Sequence, residues 1–565
     1  MSGAKKHKGG ARQASAARRA ASQSERGDVR LSARKDACQS ARKGTQKVSS
    51  KNVSGNPQNT SKSAQKRSPQ NASKGTQKSN PKNVLQNVPK GTVLVCEKAV
   101  QCGACHSVNV PYAEQLAQKD AAMRALFAKV IPATQIDEIL HPILGMDEPF
   151  QYRNKVVSPF VPGKRPSGAR GAQSAQGTQS AQGMQGAHGA AGKKGAAKQV
   201  KKRAHQDAPP VLTGMYVAGT HHLVNTDGCA VENAAANAVI VAVRRIMQAH
   251  GMEPYNEDTG RGFVRHAVVR VGHSSGEMLV TLVTNGEEFP SSKAFCRELV
   301  RRCPQVTTVV QNINTRNTNV ILGDAERTLY GPGFILDELC GLSFRISSRS
   351  FYQVNAVQTE VLYREAIRAA GLTGCETVID AYCGTGTIGL VAAKGLPDEL
   401  ERHAANIIGV DSVPSAIRDA EQNARHNGIG NARFVAQDAT DFMRELAAQH
   451  ESVAVEESAT AEVSKDAAGM SEHVLADSTA AFDAAAHPLV LMMDPPRAGS
   501  TPEFLASAAR LAPERIVYIS CNPQTQVRDI MALQAAGYEL RRVQPVDMFP
   551  HTPHVECVVL MEKYR

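Results

Sequence analysis

From Glu376 onward the chain alternates short apolar runs with amphipathic stretches. TVIDAYCGTGTIGLVAAK reads as an apolar strand, a glycine-rich turn and a helix. NIIGVD reads as the next strand, and Ser415–Asn427 as a helical stretch. ARFVAQD, PLVLMMDPP and RIVYISCN supply further strands with helices between them. Strands that alternate with helices predict a parallel sheet covered on both faces. Upstream, residues 266–284 (HAVVRVGHSSGEMLVTLVT) place two β-branched runs around the turn residues His273–Gly276, which predicts a hairpin.

Three stretches break the pattern. Residues 1–90 are rich in Ser, Lys, Gln, Asn, Gly and Ala and repeat KGTQK at Lys43–Lys47 and Lys74–Lys78. Such a segment buries too little apolar surface to offset its ordering entropy, so a disordered arm is expected over 1–91. Residues 163–206 repeat QSAQG and hold nine Lys/Arg and no acid, while 445–483 hold nine Asp/Glu and one Lys. Both read as loop insertions, because closure entropy grows slowly with loop length. The expected domains are therefore the arm, a central domain over 92–345 and a second domain over 346–565.

Composition adds a partner. The formal charge is +13, and residues 1–90 alone hold 21 Lys/Arg against 3 Asp/Glu, leaving the rest of the chain mildly acidic. A basic arm on an acidic body suits phosphate contacts with nucleic acid as well as simple solubilisation. No apolar run reaches the about 18 residues of a membrane span. No export signal is apparent, so a cytoplasmic protein with thiol or metal-bound cysteines is expected. Nothing points to a protein partner, and a monomer is expected.

The candidate chemistry lies at strand ends. DAYCGTGTIG (Asp380–Gly389) offers backbone amides to a ligand at a helix start. Asp411 ends the next strand, where a carboxylate bonds ribose hydroxyls, and Asp438 ends the third, where it could meet an adenine. The turn alone also fits a dinucleotide site. DPPR (Asp494–Arg497), SCNPQT (Ser520–Thr525) and PHTPHVE (Pro550–Glu556) then place a cysteine and a carboxylate at the same crevice. A lone strand-end Cys is ordinarily a small core residue; three such motifs in order argue otherwise. Cys96, Cys102 and Cys105, with Cys229 beyond the basic insertion, suit a tetrahedral thiolate site for zinc or iron–sulfur.

Together FYQVN (Phe351–Asn355), AYCGTGTIG, DPPR, SCNP and HVE resemble the RNA uridine-5-methyltransferase family, over nearly all the patterned chain. The resemblance implies a class I, Rossmann-like α/β domain with a mostly parallel seven-stranded sheet, preceded by an α+β RNA-binding domain. It implies S-adenosylmethionine contacts at Gln353, Tyr382, Asp411 and Asp494, with Thr387 and Asp438 beside them. It implies Cys521 as nucleophile, Glu556 as base, and a [4Fe–4S] cluster on Cys96, Cys102, Cys105 and Cys229. The segment through Tyr112, Gln115, Leu116 and Lys119 matches the family's cluster segment. YRNK (Tyr152–Lys155) matches its central domain and suits phosphate contact and base stacking. Carbon 5 of a uridine in RNA is the implied target, with ribosomal RNA preferred over transfer RNA. The thiol needs a favourable field to ionise, from Arg497 or a helix N-terminus. Many family members begin with a small β-barrel; here the basic arm occupies its place, with only GTVLV (Gly91–Val95) left to represent it. An amine methyltransferase would carry an aromatic where Arg497 stands and would not need Cys521. A non-catalytic RNA-binding protein would not need the intact Cys521 and Glu556.

Overall fold

The computed structural model describes residues 95–164, 210–463 and 487–564. The basic arm, most of the basic insertion and the later part of the acidic insertion lie outside the described residues, as does all but Val95 of GTVLV.

The C-terminal sheet has seven strands: β1 (Thr377–Ala381), β2 (Asn406–Asp411), β3 (Ala432–Ala436), β4 (Leu489–Met493), β5 (Arg515–Ser520), β6 (Tyr538–Val546) and β7 (Glu556–Lys563). Their order is β3-β2-β1-β4-β5-β7-β6. The first five run parallel, and β7 is antiparallel to both neighbours. β1 and β4 are buried throughout, as strands covered on both faces must be. Helices α1 (Ala356–Ala370), α2 (Thr387–Lys394), α3 (Pro414–His426), α4 (Ala439–Val463), α5 (Pro502–Leu511) and α6 (Pro523–Ala535) cover it. Order reverses between β1 and β4, so the crevice opens at the carboxyl ends of β1, β2, β4 and β5.

Two differences from the sequence pattern are informative. The acidic insertion does not begin as a loop: α4 continues through it to Val463. Its Ala- and Glu-rich composition has high helix propensity, which the loop reading ignored. Cys375 is disulfide-bonded, against the expectation of thiols throughout, while the other described cysteines are free.

The central sheet has six strands in the spatial order Val211–Thr213, Lys155–Pro162, Val264–Val271, Met278–Thr284, Val306–Ile313 and Ala325–Tyr330. The expected hairpin is present, with Val264–Val271 antiparallel to Met278–Thr284. Helices Ala234–His250 and Ser292–Arg302 bury Val239, Val243, Ile246, Phe295 and Leu299 against it.

Helix Tyr112–Phe127 packs elsewhere. Its Met123 and Phe127 enter the core formed by β1, β4, β5 and α6. The following segment bridges at Leu140 and Leu144 to β6, so it shields that sheet's edge. The cysteine-bearing segment is thereby fixed on the C-terminal sheet.

Candidate functional site

The glycine-rich turn after β1 is bent by its own geometry. Tyr382 (φ 66°), Gly384 (φ 56°) and Gly386 (φ 76°) are left-handed. A Cβ at Gly386 would lie 2.8 Å from the Phe434 ring, so glycine is required there. Tyr382, a non-glycine residue in that conformation, places its ring against Phe504, centroids 5.4 Å apart. Asp411 ties β2 to this turn: its Oδ2 accepts from Gly384 N at 3.0 Å and its Oδ1 from Val413 N at 2.8 Å. Asp438 lies two residues beyond β3, not at its end, and caps α4 by accepting from Thr440 N and Asp441 N. Thr387 shares its hydroxyl with Tyr363 at 2.7 Å, so that oxygen already has a protein partner. Gln353 is half-buried, and its carbonyl accepts from Asn154 Nδ2 at 3.0 Å.

Sequence reasoning missed Asp380. It is buried at the end of β1, accepts from Gly389 N at 2.9 Å, and burial pushes it up to about 7. Asp494 is likewise pushed up to about 7 by burial. Asp411 and Asp494 lie close enough to Asp380 to raise it further, so the three carboxyl groups converge on one turn.

Cys521 follows β5 directly, ahead of α6. It is half-buried and lines a cavity of about 600 Å³ with Arg497, Asn522, Thr552 and His554. The two motif loops are stitched together: Asn522 Nδ2 and Thr525 Oγ1 both donate to the Arg497 carbonyl, at 2.9 and 3.3 Å. The expected thiolate-favouring field is not what the site provides. Burial, then Glu556 and Asp494, push the thiol up to about 11, and Arg497 only partly opposes them. Glu556, the first residue of β7, is 3% exposed, and burial with Asp494 pushes it up to about 8. Arg497 Nη2 donates to His554 Nδ1 at 3.1 Å. Since guanidinium has no acceptor, the other ring nitrogen of His554 carries the proton.

The loop 547–555, which leads into Glu556, is held by the cysteine-bearing segment. Lys119 Nζ meets Asp547 Oδ1 at 2.6 Å and donates to the carbonyls of Phe549 (3.3 Å) and His554 (3.1 Å). Tyr112 Oη donates to Asp547 Oδ2 at 2.7 Å. Gln115 accepts from His551 N at 3.0 Å, and Ser107 N donates to the His551 carbonyl at 3.1 Å. His551 (φ 67°) is buried and stacked on Phe150. None of these contacts was foreseen, although Tyr112, Gln115 and Lys119 stand at helical spacing on one face.

Cys96, Cys102, Cys105 and Cys229 are half-buried and face one another. Burial, then Cys229 and Cys102, push Cys105 up to about 12. Lys98 Nζ donates to the Asn225 carbonyl at 2.8 Å, which draws the two cysteine-bearing stretches together. Among the described residues no three His, Cys, Asp or Glu side chains are arranged to hold a single metal ion. Tyr152 is no stacking platform: it is buried, and its hydroxyl donates to the Pro550 carbonyl at 3.1 Å.

Comparison with known proteins places this arrangement. Residues 373–486 match a family described as "Methyltransferase domain", and residues 483–564 match "tRNA (Uracil-5-)-methyltransferase". An uncharacterised RNA methyltransferase of Lactiplantibacillus plantarum is 36% identical over 477 residues, covering 84% of this chain and 83% of that one. One from Bacillus cereus is 34% identical over 468 residues, covering 83% and 82%. The crystal structure of Pyrococcus abyssi tRNA (uracil-54, C5)-methyltransferase, in complex with S-adenosyl-L-homocysteine, superposes with a TM-score of 0.54 at 21% identity. It covers 85% of this chain and 88% of that one. With its seven-stranded sheet, its strand-end motifs and relatives aligned over four-fifths of its length, the chain belongs to the RNA uracil-5-methyltransferase family.

Proposed function

We propose that this enzyme methylates carbon 5 of a specific uridine in RNA through a covalent bond between Cys521 and carbon 6 of the base. The observation that carries the reading is the convergence of Cys521, Glu556 and Asp494 at one crevice, with the thiol opening on a cavity large enough for a base. S-adenosylmethionine supplies the methyl group. Asp411 suits its ribose, Asp438 its adenine, and Gln353, Tyr382 and Thr387 line the approach. The carboxylates of Asp380, Asp411 and Asp494 suit its positive charges.

Carbon 5 of uracil is a weak nucleophile. Addition of the Cys521 thiolate to carbon 6 moves electron density to carbon 5, which then displaces the methyl carbon from the donor sulfur, so the sulfonium–methyl bond breaks and S-adenosylhomocysteine leaves. Glu556 removes the proton from carbon 5, the electron pair returns to the ring, and the carbon–sulfur bond breaks. One hard step becomes several easier ones. Burial raises Glu556 toward neutrality, where a general base works well. The base must leave its stack to reach Cys521.

Cys96, Cys102, Cys105 and Cys229 form the donor set for a [4Fe–4S] cluster. Four facing thiols suit it, and a polynuclear cluster tolerates wider ligand spacing than the single ion that these residues do not frame. Its role here is to rigidify the segment that holds loop 547–555. Iron and sulfide analysis of anaerobically purified protein checks it; a metal-free, fully active enzyme removes it.

Large-subunit ribosomal RNA is the expected substrate and transfer RNA the alternative; mapping 5-methyluridine in cells with and without the protein decides between them. The chemical test is RNA carrying 5-fluorouridine at the target site. Wild type should form a denaturation-resistant adduct and Cys521→Ala none. An alanine variant that still methylates would sink the mechanism.

A further inference from the structure

Lys155 and Arg270 are direct cross-strand partners in the antiparallel pair of Lys155–Pro162 with Val264–Val271. Like charges placed opposite each other on a sheet repel, so a neutralising group is called for. Arg270 is 8% exposed; its Nη2 donates to the Ser350 carbonyl at 2.6 Å, but its buried Nε has no partner. Lys155 is half-buried, and its ammonium has no hydrogen-bond or ion-pair partner among the described residues. Arg153, two residues earlier on the same extended run, also leaves a buried Nε unpaired. The nearby carboxylates are committed to hydroxyls: Asp419 accepts from Ser347 and Ser350, and Glu326 from Ser348. Burial, Arg270 and Arg153 all lower the Lys155 pKa, the mark of a cation among cations.

We infer that Lys155 and Arg270 clamp one backbone phosphate of the substrate RNA. The site combines a planar guanidinium edge held in place by Ser350 with a mobile ammonium, and both ask for an oxyanion. It lies on the central sheet, not on the C-terminal sheet whose strand ends form the crevice, though Asn154 joins it to Gln353. A phosphate of the RNA strand is the proposed occupant, and the carboxylate of the donor is the rival that donor affinity separates from it. This inference rests on RNA being the substrate and is independent of the Cys521 chemistry.

The test uses the full chain and a single-stranded oligouridylate, with binding followed by fluorescence anisotropy between about 50 and 200 mM salt. Loss of one phosphate contact should reduce the slope of log affinity against log salt by about 0.7. Across that range wild-type affinity should then fall about 2.6-fold more than that of the variant. Lys155→Gln and Arg270→Gln should each show this, and the double variant should show no larger change, because both contact the same phosphate. Lys155→Arg should restore the wild-type slope. S-adenosylmethionine affinity should stay at the wild-type value in every variant. An unchanged slope in Lys155→Gln overturns the inference, as does a loss of donor affinity at constant slope, which would assign the site to the donor carboxylate. Lys155 is half-buried at the sheet surface, so its glutamine variant keeps the test open if Arg270→Gln does not fold. Adduct formation by wild type on 5-fluorouridine RNA reports separately on the methylation mechanism.

Discussion

Substituting Lys119 by Met should separate the stability of the enzyme from the placement of the loop that leads into Glu556, the proposed base. The Lys119–Asp547 pair is 6% and 0% exposed at its side chains, with the charges 2.6 Å apart. Removing the ammonium strands a buried carboxylate whose remaining side-chain donor is the Tyr112 hydroxyl. Breaking a buried pair in this way costs about 3–5 kcal/mol, because an uncompensated charge remains. The second variant, K119M/D547N, removes that charge and leaves an oxygen for Tyr112, so most of the lost stability should return. The loop does not recover its other anchors. Lys119 also donates to the Phe549 and His554 carbonyls, and charge-assisted bonds of this kind contribute about 1.5–3 kcal/mol each. If even one such anchor fixes Glu556 for proton removal, methyl transfer in the double variant should stay depressed at least about tenfold, the equivalent of about 1.4 kcal/mol. Denaturant unfolding reads the first quantity, and single-turnover methyl transfer at saturating RNA and donor reads the second. Recovery of the rate together with stability in K119M/D547N would refute the positioning role.

The remaining predictions concern the groups of the proposed reaction. Glu556→Gln should still form the carbon–sulfur bond but fail to release it, so an RNA-linked protein band should accumulate with unmodified substrate while turnover falls about 10²–10⁴-fold; wild-type turnover without that band would exclude Glu556 as the base. With Glu556 pushed up to about 8 and the Cys521 thiol to about 11, both required forms are deprotonated, so the single-turnover rate should climb from about pH 6 to about pH 9; a flat or falling profile contradicts this assignment. Arg497→Met removes the cation that lowers both groups, and should slow iodoacetamide labelling of Cys521 at about pH 8; unchanged labelling would show that Arg497 exerts no such field.

The C-terminal fold was legible because its strands are continuous apolar runs, and only a sheet covered on both faces rewards that pattern. Asp411, Cys521 and Glu556 stand at strand ends where the sequence put them. Asp438 was misplaced by two residues because ARFVAQD carries no punctuation between strand and cap. The attachment of helix Tyr112–Phe127 to β5 and α6 was illegible, since contacts such as Lys119–Asp547 join residues 428 positions apart. Tyr152 was read as an open aromatic because composition beside Arg and Lys says nothing of burial. Electrostatic sign was hidden for the same reason: Arg497 is visible in DPPR, but the depth of Glu556 and its closeness to Asp494 appear only in the fold.

That sign bears on how the proposed chemistry is controlled. A thiol held near 11 is almost wholly protonated at neutral pH, whereas an ordinary free cysteine with a pKa of about 8.5 is a few per cent thiolate. Two of the three forces that raise it come from the carboxyl groups of Glu556 and Asp494 as they ionise. Asp494 also belongs to the carboxylate group that suits the positively charged methyl donor. A cation bound beside Asp494 opposes the field that this residue imposes on the sulfur. Linkage then requires that donor binding lower the thiol pKa and that thiolate formation tighten donor binding by the same factor. In the proposed chemistry the thiol is therefore quiet toward stray electrophiles, and its activation is tied to the arrival of the methyl donor that carbon 5 will consume.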